Sequence, residues 1–196
     1  KSQDKAFCDK LKKMIPKYDL VIVSDYGHGL ISNKSANLIC KLSKYLALNA
    51  QVNAANIGYH SMRNYKNINC VIINSTEIRH ELRNKNDKIE TLMKELSLKQ
   101  NIENLTVTRG NQGSILYNKK NRKINYCGAY AKANVDKIGA GDAMLSILAL
   151  CLKCGFDRDL ALLIASLAAA QSVETIGNKE SVNKTQILKT LENIMK

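Results

Sequence analysis

This 196-residue sequence predicts an α/β fold: a mostly parallel sheet with helices on both faces. Three observations lead there. Short apolar runs, Leu20–Val23 and Cys70–Ile73, have the length and near-continuous hydrophobicity of buried parallel strands, and Leu105–Thr108 reads as a further strand. Stretches of helical composition separate them, and strand–helix alternation at this spacing builds a parallel sheet covered on both faces. A longer apolar run, Ala143–Leu152, follows a glycine pair and has the composition of a buried helix.

The elements follow in order. Residues 4–15 read as an amphipathic helix with Leu11, Met14 and Ile15 inward. Leu20–Val23 is the first buried strand. Ser32 or Asn33 caps a helix predicted to run through about Leu48. A short strand near Gln51–Ala54 and a helical piece near Met62 come next. Cys70–Ile73 is a strand with Asn74 at its C-terminal end. Helices near 75–83 and 87–98 lead to the strand Leu105–Thr108, and a hairpin pairs Ser114–Asn118 with Arg122–Tyr126. A helix after Gly141, one near 157–175 and one near 184–195 close the sequence. One Pro, ten Gly and no low-complexity linker fit a single domain over residues 1–196.

Composition excludes several classes. No apolar run approaches the ~20 residues that span a bilayer, so no membrane partner is expected. The net charge of +13 invites a nucleic-acid-binding reading. Lys and Asn are scattered along the chain, however. The densest basic cluster, Lys119–Lys123, falls in the hairpin turn, and aromatics are only 5%, too few for a base-stacking platform. Nucleic acid is therefore not expected as a partner. Six Cys lack the paired spacing of a zinc ribbon; Cys151-x-x-Cys154 lies late in an apolar helix and reads as buried thiols. That usage points to a reducing, cytoplasmic setting. His80-Glu81 begins like H-E-x-x-H but lacks the second His, so it is no zincin motif.

The most informative segment is Val135–Ala143, V-D-K-I-G-A-G-D-A. Gly139-Ala140-Gly141 falls at a helix N-terminus, where the first N–H groups lack intrahelical partners and the dipole favours an anion. Glycine lets the backbone approach a ligand closely, so a phosphate cradle results. No P-loop string occurs, and Met144 stands where a dinucleotide fingerprint needs its third glycine. Asp142 is a carboxylate beside a phosphate site; it serves chemistry or metal, or else merely caps the helix. Asp25, Asn74 and Arg109-Gly110 follow their strands, at the edge where open α/β sheets bind ligands. All four segments are predicted to converge on one rim. Taken singly, Asp25 and Asn74 also read as turn residues, and Glu77 as a first-turn acid.

Four segments in order carry a family resemblance. Val135–Ala143 resembles the D-T-x-G-A-G-D signature of the ribokinase-like (PfkB-type) carbohydrate kinases. Ser24-Asp25-Tyr26-Gly27-His28-Gly29 resembles the S-D-Y-x-K-G segment of the heptose-phosphate kinase branch. Asn74-Ser75-Thr76-Glu77 resembles N-x-x-E, and Thr108-Arg109-Gly110 with Gly113 resembles the T-x-G-x-x-G nucleotide loop. The sequence is most similar to the sugar-kinase modules found with nucleotidyltransferases. Departures are Lys137-Ile138 where the family has a threonine pair, Ser166 where it often has Asn, and His28 where it has a basic residue. The Gly-Gly sugar motif and small β lid of the family's N-terminal half have no counterpart, so the sequence reads as the C-terminal two-thirds of a kinase.

The resemblance implies a ribokinase-like fold and phosphoryl transfer from ATP, with Mg²⁺, to a hydroxyl of a sugar or sugar phosphate. It implies Asp142 as the base, with Gly139, Ala140 and Gly141 supplying N–H groups to the transferring phosphoryl. Asn74 and Glu77 would hold the metal shell. Asn74, Thr108, Arg109, Gly110, Gly113 and Ser166 would meet the nucleotide, with room beside Ala168–Ala170. Asp25, His28 and Asn53 would face the sugar. A homo-oligomer or a linked nucleotidyltransferase fits the same family. The competing expectation is a nucleotide-binding remnant that lacks the sugar half and does not turn over alone.

Overall fold

The structure, a computed structural model, describes residues 2–51, 62–131, 139–174 and 181–194. Six strands form one sheet in the order β1 (Val21–Asp25), β2 (Leu46–Ala50), β3 (Ile68–Asn74), β4 (Ile102–Thr108), β5 (Ser114–Asn118) and β6 (Ile124–Cys127). The first four are parallel; β5 and β6 return antiparallel as the expected hairpin. The helices are α1 (Ser2–Met14), α2 (Asn33–Leu42), α3 (Ser75–Leu82), α4 (Ile89–Gln100), α5 (Ala140–Lys153), α6 (Arg158–Glu174) and α7 (Lys184–Ile194).

Strand alternation sorts the side chains into two cores. Val71 and Ile73 of β3, with Leu46 and Leu48 of β2, face a layer built by Ala36 and Ile39 of α2, Ile78 of α3 and Leu92, Met93 and Leu96 of α4. Ala47, Cys70, Ile72 and Leu116 face the other way, onto Met144, Leu145 and Leu148 of α5 and Ala161, Leu162 and Ala165 of α6. The sheet is thus covered on both faces, and this is why its strands read as apolar runs. Burial pushes the Cys70 thiol up to about 12, which leaves it an inert core side chain. Outside these two cores, Leu167 and Ala168 of α6 pack on Ile187 and Leu191 of α7.

Two local expectations are corrected. The helix capped by Ser32 ends at Leu42, not near Leu48. Leu46-Ala47-Leu48 has helical composition, but all five residues of β2 are buried between β1 and β3. Tertiary pairing therefore overrides propensity. Gln51 follows that strand, and residues 52–54 lie outside the described residues. In α1, Cys8 is buried and Leu11 packs on the core, but Met14 is exposed, and Ile15 enters the core from a 3-10 turn over Ile15–Lys17.

Adjacent residues at the end of β1 point to opposite faces. Asp25 turns to the α1–α4 side, where the Tyr65 hydroxyl donates to its Oδ2 at 2.7 Å and the Gly27 N–H donates to its Oδ1 at 3.0 Å. Both side chains are buried. Burial, and then the hydrogen bond to Asp25, hold the Tyr65 phenol well above its ordinary range. Removing that hydroxyl takes a donor from a buried carboxylate. Tyr65→Phe is expected to lower unfolding free energy by roughly 1–3 kcal/mol in urea melts, and an unchanged midpoint would contradict this contact.

Candidate active site

Parallel pairing aligns the strand ends. Ser24 is opposite Asn49, Asp25 opposite Ala50, and Asn74 opposite Thr108; the hairpin then sets Thr108 against Ser114 and Ser114 against Cys127. One rim therefore carries Asn49, Asn74, Thr108 and Ser114. Above it lies a cavity of about 800 Å³. Its walls include Asn74, Glu77, Thr108, Gly110, Gly113, Gly139, Ala140, Gly141 and Ser166. Nine residues drawn from separate motifs thus meet in one place.

Gly139 is the N-cap of α5, with φ +87°, and makes no side-chain cap bond. The next backbone groups belong to Ala140 and Gly141, in the first turn of a fourteen-residue helix. Their N–H groups precede the first intrahelical bond, from Ala143 N–H to Gly139 O at 2.9 Å. A Cβ on Gly141 would reach 3.4 Å from Asn49 Nδ2, so the helix start sits directly over β2.

Asp142 does not turn back to cap its own helix. Ser24 Oγ donates to its Oδ1 and Tyr26 Oη to its Oδ2, both at 2.7 Å. The first of these bonds places Asp142 at the end of β1, across 118 residues of chain. The hydrogen bond to Asp142, then burial, raise the Tyr26 phenol above its ordinary value. His28 is exposed, and its ring stacks on Tyr26 with centroids 6.3 Å apart.

Asn74 and Glu77 form a reciprocal capping box on α3. Asn74 Oδ1 accepts from the N–H groups of Thr76 and Glu77 at 2.9 and 2.8 Å, and Glu77 Oε2 accepts from Asn74 N–H at 2.8 Å. Glu77 is the one carboxylate among the described residues of the cavity wall, and no Lys, Arg or His is among them. The described residues hold no cluster of three or more His, Cys, Asp or Glu side chains that would cage a metal alone. Ser166 of α6 lies 3.1 Å from Ser114 through their hydroxyls; Ala169 and Ala170 line the cavity, whereas Ala168 packs on α7.

Other expected residues are placed differently. Arg109 folds back on its own loop, its Nη2 donating to Gln112 O at 2.9 Å, and is not on the wall. Asp25 lies behind the rim against Tyr65, because it has the opposite strand parity to Ser24. Asn53, Lys137 and Ile138 lie outside the described residues. The sequence gives no individual role to Ser24, Tyr26 or Asn49. Ser24 and Tyr26 flank Asp25 at i±1, so strand alternation puts them on the opposite face from it. Asn49 falls between the helix expected to end near Leu48 and the strand expected from Gln51, where no element is assigned.

The glycines of the nucleotide-like loop differ in kind. Gly113 has φ +77°, and a Cβ there would meet Cys127 O at 2.0 Å; at Gly110, φ +60°, nothing lies within 4 Å. Gly113→Ala is expected to cost more than about 2 kcal/mol, and Gly110→Ala only about 1–2 kcal/mol. Equal losses in thermal melts would contradict the close approach of β6.

The fold is ribokinase-like. Phosphofructokinase-2 from Escherichia coli in complex with potassium matches with a TM-score of 0.79 at 11% identity, over 98% of this chain and 62% of that one. Arabidopsis thaliana ribokinase complexed with ribose and ATP matches at 0.72 and 19% identity, over 94% and 59%. Residues 59–185 match the pfkB family carbohydrate kinase, and the chain belongs to that family. The bifunctional protein HldE of Campylobacter concisus is 32% identical over 161 residues, which is 81% of this chain and 33% of that protein. An uncharacterized sugar kinase of Buchnera aphidicola subsp. Schizaphis graminum is 24% identical over 173 residues, 87% of this chain and 53% of that one. The chain spans about a third of the length of the HldE proteins it matches.

Proposed function

We propose that this chain carries the nucleotide site and the base of an ATP-dependent kinase that phosphorylates a hydroxyl of a sugar or sugar phosphate. A heptose is the proposed class, supported by the Ser24–Gly29 segment and the likeness to HldE. One observation carries the reading. A carboxylate, Asp142, is fixed by two 2.7 Å hydrogen bonds directly after the Gly139–Gly141 helix start, beside a cavity of about 800 Å³.

In such a transfer the protein positions groups and stabilises charge. Asp142 accepts the proton of the attacking hydroxyl. Gly139, Ala140 and Gly141 direct N–H groups and the helix dipole at the transferring phosphoryl. The wall offers a polyphosphate no cationic side chain among its described residues, despite the chain's net charge of +13. A metal carried with the nucleotide would neutralise the polyphosphate. Magnesium, which keeps much of its water, would serve; Glu77 fits as the carboxylate that holds this shell. Asn74 Oδ1 is committed to the helix cap, so Asn74 reaches metal or phosphate through water or its amide N–H. Thr108, Gly110 and Gly113 line the nucleotide, with Arg109 holding the loop. The small Ala169 and Ala170 with Ser166 leave space for the base. His28 would face the sugar, and Asp25 positions the end of β1.

A second reading is nucleotide binding without turnover by residues 1–196 alone. Its support is coverage: the chain spans 59–62% of the kinase structures it matches. It predicts Mg-ADP binding without sugar-dependent ATP consumption.

Asp142→Asn separates a base from a helix cap. In a sugar-dependent ADP-release assay of the full chain it is expected to lower turnover about 10²–10⁴-fold, with nucleotide affinity held or raised. Asn still accepts hydrogen bonds, so the fold should persist. A folded variant with unchanged turnover would remove Asp142 from the mechanism.

A further inference from the structure

Both oxygens of Asp142 are taken by protein hydroxyls, Oδ1 by Ser24 and Oδ2 by Tyr26. A general base needs one oxygen within hydrogen-bond reach of the hydroxyl it deprotonates. Each oxygen keeps a second lone pair, but a hydroxyl arriving at either one must compete with the protein donor already there. The two donors are not equivalent. Ser24 lies within β1, its backbone in register with Asn49 of β2. Tyr26 stands one residue beyond the strand, 41% exposed, with its ring against the exposed His28. The turn continues through Gly27 at φ +71° and Gly29 at φ +83°, conformations open to glycine at no steric cost. The Tyr26 phenol is held above its ordinary range by its bond to Asp142, so at neutral pH it is a donor and not a phenolate.

We propose that Tyr26 is a positioning residue that covers the proton-accepting oxygen of Asp142 until a sugar hydroxyl displaces it, and so keeps water from being activated against the nucleotide. Ser24 stays on Oδ1 throughout and fixes the carboxylate plane. This rests on the kinase reading above. The suppressed reaction is hydrolysis of ATP. A water oxygen bonds to the γ-phosphorus, and the bond from that phosphorus to the β,γ-bridging oxygen breaks with its electron pair leaving on ADP. The water proton passes to Asp142 Oδ2 and then to solvent, giving ADP and inorganic phosphate. While Tyr26 donates to Oδ2, a water must compete with the phenol for that oxygen.

The test is Mg-ATP hydrolysis by the full chain without sugar, for the wild type, Tyr26→Phe, Ser24→Ala and the double variant Tyr26→Phe/Asp142→Asn. Tyr26→Phe should raise hydrolysis about tenfold, the scale of one hydrogen bond to a charged group. Ser24→Ala leaves Oδ2 covered and should not raise it. The double variant should fall back to the wild-type rate, which ties the gain to Asp142. Tyr26→Leu, lacking the same hydroxyl, checks the result should Tyr26→Phe melt early. A hydrolysis rate within twofold of wild type in folded, ATP-binding Tyr26 variants overturns the proposal. So does a gain that survives in the double variant. Phosphorylation of a heptose phosphate by Asp142→Asn reports separately on the kinase reading. If that activity is lost while Tyr26→Phe hydrolysis stays flat, the kinase stands and the cover falls.

Discussion

The contact between the first turn of α5 and the end of β1 is the constraint on which the site depends. Three consecutive residues make that strand end a clamp between layers. Ser24 and Tyr26 reach one face and hold Asp142; Asp25 reaches the other and takes the buried Tyr65 hydroxyl. Strand alternation forces this division. A one-residue slip of β1 against β2 would turn Asp25 toward α5 and send Ser24 and Tyr26 into the opposite core. The carboxylate would then face a second carboxylate in place of two hydroxyl donors.

The cavity itself follows from parallel pairing. Four parallel strands bring their C-terminal ends to one rim, and the start of α5, which follows β6, lies over it with N–H groups ahead of its first intrahelical bond. Small residues then leave the space: Gly110, Gly113 and Gly128 from the hairpin side, Ala169 and Ala170 from α6. Among the described residues, no Lys or Arg lines the cavity. The basic turn between β5 and β6 lies at the far end of the hairpin from Ser114, and Lys123 there pairs with Asp159 at 3.2 Å. The wall therefore offers an anion backbone dipoles and small residues, with Glu77 as its described carboxylate.

Much of this is legible in the sequence, for identifiable reasons. Strand β3 announces itself because burial on both faces demands an apolar run, and β1 and β4 because β-branched residues recur in short stretches between helical segments. The helix after Gly141 is legible because glycine and a long apolar stretch leave few alternatives. Strand β2 is not, because Leu46-Ala47-Leu48 suits a helix and only its neighbours make it a strand. The site residues divide along the same line. Asn74, Thr108, Gly113 and Gly139–Asp142 end or begin elements, so position alone puts them on the rim. Asp25 and Arg109 share that position, but their side chains are turned by strand parity and by a loop bond to Gln112. Ser24 and Tyr26 require knowing which helix crosses β1, a contact spanning more than a hundred residues.

The most direct test of the central claim, that the α5 start is the floor of a nucleotide site, is calorimetric titration of Mg-ATP into the wild type and Gly141→Ala. A methyl at Gly141 would lie in ordinary contact with Asn49, so the fold should tolerate it while the floor of the cavity is filled. The account predicts saturable one-to-one binding to the wild type and at least a tenfold weaker affinity for the variant at a closely similar melting temperature. Equal affinities for the two folded proteins, or no heat from either at millimolar nucleotide, would contradict it.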